Sequence, residues 1–183
     1  MKFHATALHG LWEIETVPRG DARGSLTRLY CDDSFDAVAP GLRFVQVNHS
    51  ITAHRGTLRG LHFQRAPALE AKLVRCLRGR VFDVIVDLRA GSPTFARWHA
   101  VELSENNQRQ VLIPPGCAHG FQTLTDDCEL LYQHSARYTS VLEGGVAHDD
   151  PRLGIAWPLP VAELSARDRA LPRIDAGFQG VKA

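Results

Sequence analysis

The chain has 183 residues, 44% of them hydrophobic and 22% charged, with 21 basic against 20 acidic side chains and a formal net charge of +1. This is the composition of a globular chain, and its length suits one domain, 1–183, able to bury roughly 70% of the surface its unfolded form exposes. Balanced charge without a like-charge block excludes a protein that grips nucleic acid by neutralising phosphates, while leaving room for a small anion held by a few arginines.

Taken in chain order, residues 1–13 lack the charged start and apolar run of a signal peptide. Short runs at 11–16, 25–30 and 42–48 read as strands, with a short helix over 32–38. Runs at 72–77 and 82–88 follow, separated by Arg78-Gly79, which reads as a tight hairpin turn. In the second of these, Phe82, Val84, Val86 and Leu88 share one strand face. Asp83 and Asp87 share the other with Ile85, which places that face on solvent or in a cavity. Loops are expected at 90–93 and 114–116, strands at 99–103, 110–113 and 129–134, and a helix over 160–171. No apolar run is long enough to cross a membrane. Four cysteines, Cys31, Cys76, Cys117 and Cys128, form no CxxC pair. They read as small apolar side chains in a reducing, cytoplasmic setting. Many short strands with no room for helices between them indicate a β-sandwich or barrel.

Two segments carry chemistry. One is Gly56-Thr57-Leu58-Arg59-Gly60-Leu61-His62-Phe63-Gln64; the other is Pro114-Pro115-Gly116-Cys117-Ala118-His119-Gly120-Phe121. Each sets a histidine beside glycines in a strand-and-turn context, where backbone can approach a ligand closely. Their spacing resembles the two cupin motifs. This implies an all-β double-stranded β-helix, the cupin jelly roll, with a few short helices mainly near the C-terminus. In a metal-binding cupin the position of Gln64 would hold a second histidine, and Lys72 falls near the acidic ligand. Two histidines and an ammonium are a poor ligand set, so no metal and no cofactor are expected. A lone histidine is more often a satisfied core or surface residue, which is the reading for most of His4, His9, His54, His99, His134 and His148. A pocket with His, Lys, Tyr and Arg suits proton abstraction beside a carbonyl. An imidazole titrating near ~6.5 takes the proton, a carboxylate steadies it, an ammonium holds the enolate oxygen, and a phenol returns a proton.

Further motifs in one order point to a family. They include Val45-Gln46-Val47-Asn48-His49-Ser50, Lys72-Leu73-Val74-Arg75, Leu88-Arg89-Ala90-Gly91-Ser92-Pro93-Thr94-Phe95 and Glu143-Gly144-Gly145. Asp149-Asp150-Pro151, Ile155-Ala156-Trp157-Pro158 and Leu164-Ser165-Ala166-Arg167-Asp168 follow. From Asp21 to Arg173 the chain closely resembles the dTDP-4-dehydrorhamnose 3,5-epimerase family of nucleotide-sugar epimerases. The resemblance implies a cofactor-free jelly-roll homodimer acting on a nucleoside-diphosphate 4-keto-6-deoxy sugar. By position, His62 resembles the catalytic base, Asp168 its carboxylate partner, Lys72 the enolate-stabilising cation and Tyr132 the general acid. Arg23 and Arg59 resemble pyrophosphate or sugar contacts. Gln46 and Asn48 match nucleotide contacts, His119 a sugar contact near the carbonyl, and Tyr138 the aromatic that stacks on the base. Glu143 and Arg167 match further binding positions. Departures cluster in the base-recognition region. Arg28 stands where the family usually has a glutamate, Leu26 replaces an aromatic and Val47 an aspartate. Gln133 and Arg137 stand where lysine and tyrosine are common. Replacing an acceptor by a cation alters which base edge is matched. A GDP- or CDP-linked sugar, inversion at carbon 3 alone, a ketoisomerase and a non-catalytic sugar-nucleotide-binding cupin are the alternative readings. A metal-dependent oxygenase is disfavoured by Gln64 and Lys72.

Overall fold

The computed structural model describes residues 1–182. Its strands are β1 (Lys2–Ala5), β2 (Trp12–Glu15), β3 (Arg19–Asp21), β4 (Gly24–Leu26), β5 (Gln46–Thr52), β6 (Thr57–Gln64) and β7 (Lys72–Arg78). They continue with β8 (Arg80–Asp87), β9 (Trp98–Ser104), β10 (Arg109–Ile113), β11 (Cys117–Thr123), β12 (Cys128–His134), β13 (Glu143–Gly145) and β14 (Glu163–Leu164). Two short helices, α1 (Asp32–Asp36) and α2 (Ala166–Arg169), complete the regular structure. No helix among the described residues is long and apolar enough to cross a membrane.

One six-stranded sheet has the order β1-β2-β10-β7-β12-β5; the other runs β13-β6-β11-β8-β9, with β14 pairing β6 in parallel. From β5 to β8, and again from β9 to β13, successive strands alternate between the two sheets. That alternation is the winding of a double-stranded β-helix, the cupin jelly roll expected from the sequence.

Period-two patterning then decides three apolar layers. Between the sheets lie Val74, Cys76, Val81, Ile85, Val111, Phe121 and Leu130, all buried. The outer face of the first sheet, with Ile14, Leu73 and Leu112, is covered by the segment around α1 through Tyr30, Phe35 and Phe44. The outer face of the second, with Leu61, Phe63, Val84 and Val86, is covered by the C-terminal segment through Leu153, Trp157 and Ile174. Strand β8 is therefore buried on both faces. Asp83, Ile85 and Asp87 point into the barrel, with both carboxylates 0% exposed. Asp87 is satisfied by Arg89, Ser92 and Thr94, which accounts for much of the 88–95 motif as a structural clasp. Burial pushes the Asp87 carboxyl up, but these donors outweigh it and hold it well below the ordinary range.

Four sequence expectations need correction. Arg78-Gly79 is a corner and not a hairpin, because β7 and β8 belong to opposite sheets. Gly79 takes φ +75°, and a Cβ there would meet Thr125 Oγ1 at 2.6 Å and Cys128 Sγ at 2.8 Å. The 160–171 helix shrinks to α2, preceded by β14. Gln122 fixes Leu159 by two amide bonds, Ala162 N–H donates to Gly56, and only at Ser165 does a side chain cap a helix. The strand expected at 42–48 starts at Gln46 and runs to Thr52, because Leu42 and Phe44 are drawn into the layer around α1. The 25–30 run keeps strand structure only to Leu26, in the small hairpin of β3 and β4. The helix at 32–38 is present as α1, so helical residues are not confined to the C-terminal end. Cys76, Cys117 and Cys128 are buried and Cys31 is partly so; all four are free thiols.

Strands β6 and β11 approach unusually closely at Gly60 and Gly120. A Cβ on Gly120 would meet Arg59 O at 2.6 Å and Gly60 Cα at 3.1 Å. Overpacking against backbone cannot be relieved by a rotamer change. We expect Gly120→Ala to lower unfolding stability by about 2 kcal/mol or more in urea titration. Wild-type stability in that variant would contradict the close packing described here.

Candidate active site

The barrel opens into a cavity of about 960 Å³, lined from β5, β6, β7, β11 and β12 and from the segment that carries α2. Alternate residues of the strands point into it. From β12 these are Tyr132 and His134, from β7 Lys72, and from β5 Gln46, Asn48 and Ser50. His62 enters from β6 and His119 from β11; the two are register partners.

His62 and Asp168 are 106 residues apart in sequence, yet His62 Nε2 lies 2.7 Å from Asp168 Oδ1. The C-terminal segment delivers the carboxylate. Gln122 holds Leu159, β14 pairs with β6, and Ser165 Oγ accepts the Asp168 N–H at 3.0 Å to start α2. The second carboxylate oxygen accepts the Gly60 N–H at 3.1 Å. Burial raises the Asp168 carboxyl, but the His62 hydrogen bond and the Gly60 amide outweigh it and keep it below its ordinary range. Arg167 Nη2 also lies 3.1 Å from His62 Nε2. That nitrogen cannot donate to a carboxylate and accept from a guanidinium at once. The buried anion requires a donor, so Nε2 carries the proton and Nδ1 is the basic nitrogen. Such an imidazole can accept a proton while the carboxylate stabilises the resulting cation.

A second pair lies beside it on the same sheet. His119 Nε2 lies 2.8 Å from Asp83 Oδ2, and Asp83 Oδ1 has no hydrogen-bond partner among the described residues. The His119 and Tyr132 rings meet edge to face at 5.9 Å. Burial, and then the Asp83 charge, push the Tyr132 phenol well above its ordinary value, so it stays a proton donor at neutral pH. Lys72 Nζ sits 3.2 Å from Glu70 Oε1 and donates to the His62 carbonyl at 3.4 Å. The ammonium is thereby fixed beside the first pair.

The remaining expected residues divide. Arg59 lines the cavity, braced by Thr52 and the Ile51 carbonyl. Tyr138 donates its hydroxyl to Glu143 Oε2 at 2.9 Å, and Arg167 Nη1 donates to the same oxygen at 2.8 Å. Gln46 Oε1 accepts the Tyr138 N–H, so one hydrogen-bonded rim joins four of the expected positions. Arg23 and Arg28 lie elsewhere. Arg23 is 89% exposed at the tip of the β3–β4 hairpin and pairs with Asp21; Arg28 is exposed beyond β4; neither lines this chain's cavity. Gln64 lines the cavity but spends its amide on the Ala68 and Arg137 carbonyls and accepts the Thr139 N–H, which makes it a loop strut.

Three polar residues escaped the sequence reading as site residues: Asp83, Glu70 and His134. His134 belongs to the group of histidines most of which the sequence reads as satisfied core or surface residues. It is bonded to Glu70, at 2.8 Å, but inside the cavity wall. Parity held the signal, since Glu70 shares a face with Lys72 and His134 with Tyr132. Among the described residues no three His, Cys, Asp or Glu side chains converge as a metal site requires.

The sequence pattern of the dTDP-4-dehydrorhamnose 3,5-epimerase family matches residues 5–176, and the chain belongs to that family. It is 44% identical over 172 residues to the dTDP-4-dehydrorhamnose 3,5-epimerase of Salmonella typhimurium, covering 93% of each chain. It is 41% identical over 170 residues to the dTDP-4-dehydrorhamnose 3-epimerase of Streptomyces niveus, covering 92% of this chain and 82% of that one. The crystal structure of a dTDP-6-deoxy-D-glucose-3,5-epimerase from Legionella pneumophila in complex with dTDP-4-keto-L-rhamnose superposes with a TM-score of 0.91. The identity is 38%, over 100% of this chain and 98% of that one.

All three tyrosines of the chain sit above the ordinary phenol range. Burial and Asp32 push Tyr30 up to about 12, burial and Asp83 raise Tyr132, and the hydrogen bond to Glu143 raises Tyr138. At pH ~10, where a free phenol is half ionised, we expect the folded protein to show well under half of its phenolate absorbance, and full absorbance on unfolding. Half-titration in the folded state would contradict the cavity environment assigned to Tyr132.

Proposed function

We propose that this protein is an epimerase of dTDP-4-dehydro-6-deoxyglucose that inverts carbons 3 and 5 to give dTDP-4-dehydrorhamnose. The observation that carries this reading is the pairing of His62 with a buried carboxylate in a cavity that also holds an ammonium and a neutral phenol. Family membership narrows the chemistry to an isomerase. The four chemical residues form a set whose parts match proton removal on one face of a sugar ring and proton delivery on the other.

In this reading His62 Nδ1 takes the hydrogen on the carbon next to the ketone. The C–H electrons move into the ring and place negative charge on the ketone oxygen. Asp168 stabilises the imidazolium by keeping Nε2–H engaged. Lys72 donates to the enolate oxygen, which is worth more in a desolvated site than in water. Tyr132 then delivers its proton to the opposite face; the imidazolium of His62 afterwards releases its extra proton to solvent and the phenolate takes one up from it. The reacting carbon ends with inverted configuration and one solvent-derived hydrogen.

Arg59, Gln46, Asn48, Tyr138, Glu143 and Arg167 hold the nucleotide and sugar in this reading. Arginine suits the diphosphate because its planar fork donates two parallel hydrogen bonds. We assign no metal to the reaction, because His62 and His119 each commit Nε2 to an aspartate and Lys72 lies beside them.

A homodimer completes the site. Strand β5 is an edge strand whose outward side chains Val47 and Ile51 are 61% and 63% exposed; Val45 just before it is 55% exposed and Leu26 on β4 77%. An exposed apolar edge invites pairing with a second copy. Such a copy brings Arg23 and Arg28, idle in their own chain, within reach of a cavity. A cytoplasmic setting agrees with four free thiols and a nucleotide-sugar substrate.

Incubation with dTDP-4-keto-6-deoxyglucose in deuterium oxide, followed by proton NMR, tests the reading. We expect deuterium at carbons 3 and 5 and a changed product configuration. Label and inversion at carbon 3 alone would make it a 3-epimerase, and turnover of a GDP- or CDP-linked sugar in preference would overturn the nucleotide assignment. Sedimentation should give twice the 20.2 kDa chain mass. A fully active monomer would overturn the shared site.

A further inference from the structure

His134 is oriented by both of its ring nitrogens. Nδ1 lies 2.8 Å from Glu70 Oε2, and Nε2 lies 3.3 Å from Asn48 Nδ2. Glu70 is 7% exposed and His134 12%, so neither group is a solvated surface ion. Burial raises the Glu70 carboxyl, but the His134 bond and the Lys72 charge outweigh it, and it remains a carboxylate. A carboxylate only accepts, so Nδ1 donates. Nε2 is then bare and accepts from the Asn48 amide nitrogen. This turns the Asn48 oxygen towards Gln46, whose Nε2 donates to it at 3.2 Å. The Gln46 oxygen in turn accepts the Tyr138 N–H at 3.0 Å. Donation runs one way along the wall, from Tyr138 through Gln46, Asn48 and His134 to Glu70. Other groups facing His134 are Lys72, its register partner on β7, and Tyr132, whose ring stacks on it at 6.0 Å and 16°.

We propose that Glu70 and His134 are positioning residues that set the hydrogen-bond polarity of this wall, so that Asn48 and Gln46 each turn a free N–H towards the acceptor oxygens of the nucleotide. The inference rests on the nucleotide-sugar reading above for the identity of the ligand. Neither residue has to touch the substrate. An amide can present either its oxygen or its nitrogen at nearly the same place, and here a buried carboxylate two links away decides which. The device also ties the nucleotide wall to the chemistry, because the other oxygen of Glu70 holds Lys72 at 3.2 Å.

The test is the affinity of the full-length protein for dTDP, measured by calorimetry alongside thermal stability. His134→Gln keeps the relay, since its amide nitrogen can donate to Glu70 and its oxygen accept from Asn48, but loses the ring. His134→Phe keeps a ring against Tyr132 and loses the relay. Glu70→Gln keeps shape but cannot accept from Lys72 and His134 together. A lost acceptor in a buried wall corresponds to about tenfold in affinity. We expect dTDP binding about tenfold weaker in Glu70→Gln and His134→Phe, and within about threefold of wild type in His134→Gln. A merely structural role predicts the opposite order for the two His134 variants, and that order would overturn the proposal. So would unchanged affinity in Glu70→Gln, which also decides the matter if His134→Phe fails to fold. Wild-type turnover, run in parallel, judges the epimerase reading separately: a protein that binds dTDP but exchanges no hydrogen would sink that reading while the affinities still judged the wall.

Discussion

One buried carboxylate organises the site. Asp168 is 4% exposed and has given up nearly all of its water. An ionised group in that position must be surrounded by donors, because leaving it bare would cost several kcal/mol. The fold supplies those donors from a single strand, as the Gly60 amide and the His62 ring both come from β6. The same requirement fixes which nitrogen of His62 carries the proton, and so which one is basic. The tautomer is a consequence of burial and needs no further device.

The rest of the architecture serves that placement. Asp168 lies on a four-residue helix at the end of a long irregular segment, which on its own would have no defined position. It becomes defined because the segment covers the outer face of the second sheet, seals Leu61, Phe63 and Val84, and is pinned by Gln122 and by the β14 pairing. Apolar burial on the outside of the barrel thus determines geometry on the inside. The cavity wall is continuous in the same sense. Hydrogen bonds and close ion pairs run from Lys72 through Glu70, His134, Asn48, Gln46, Tyr138 and Glu143 to Arg167. A polar chain of this kind in a low-dielectric barrel is rigid when every member is satisfied. Asp83 Oδ1 is the exception among the described residues, and it lies beside His119 and Tyr132, where the proposed chemistry occurs.

Much of this was legible in the residues. Period-two runs identified most strands, and the glycine-flanked histidines marked His62 and His119 for the same cavity. Lys72 and Tyr132 followed from resemblance, and the structure brings both to the cavity wall. What was missed was missed for physical reasons. Gly79 between two strands looks the same whether the chain folds back in one sheet or crosses to the other; only long-range pairing decides. Residues 160–171 have helix-forming composition, but backbone pairing with Gly56 and β6 claims their first half. Asp83 looked like a residue on solvent or in a cavity, and the inside of the barrel proved to be its destination. Glu70 and His134 carried the correct parity, yet nothing local to either shows that they meet across 64 positions of sequence. Arg23 and Arg28 lie outside the cavity of their own chain, so their proposed part depends on a second copy.

In the proposed reaction Asp168 acts by holding His62 in one tautomer, and solvent-hydrogen exchange in Asp168→Asn is the sharpest test of that role. An asparagine can present an N–H to His62 where the carboxylate accepted one, which removes the basic nitrogen from the cavity side. With saturating dTDP-4-keto-6-deoxyglucose in deuterium oxide, exchange at carbon 3 should slow by about a hundredfold or more, with dTDP affinity within a few-fold of wild type. Exchange at the wild-type rate in a folded, nucleotide-binding Asp168→Asn protein would contradict it.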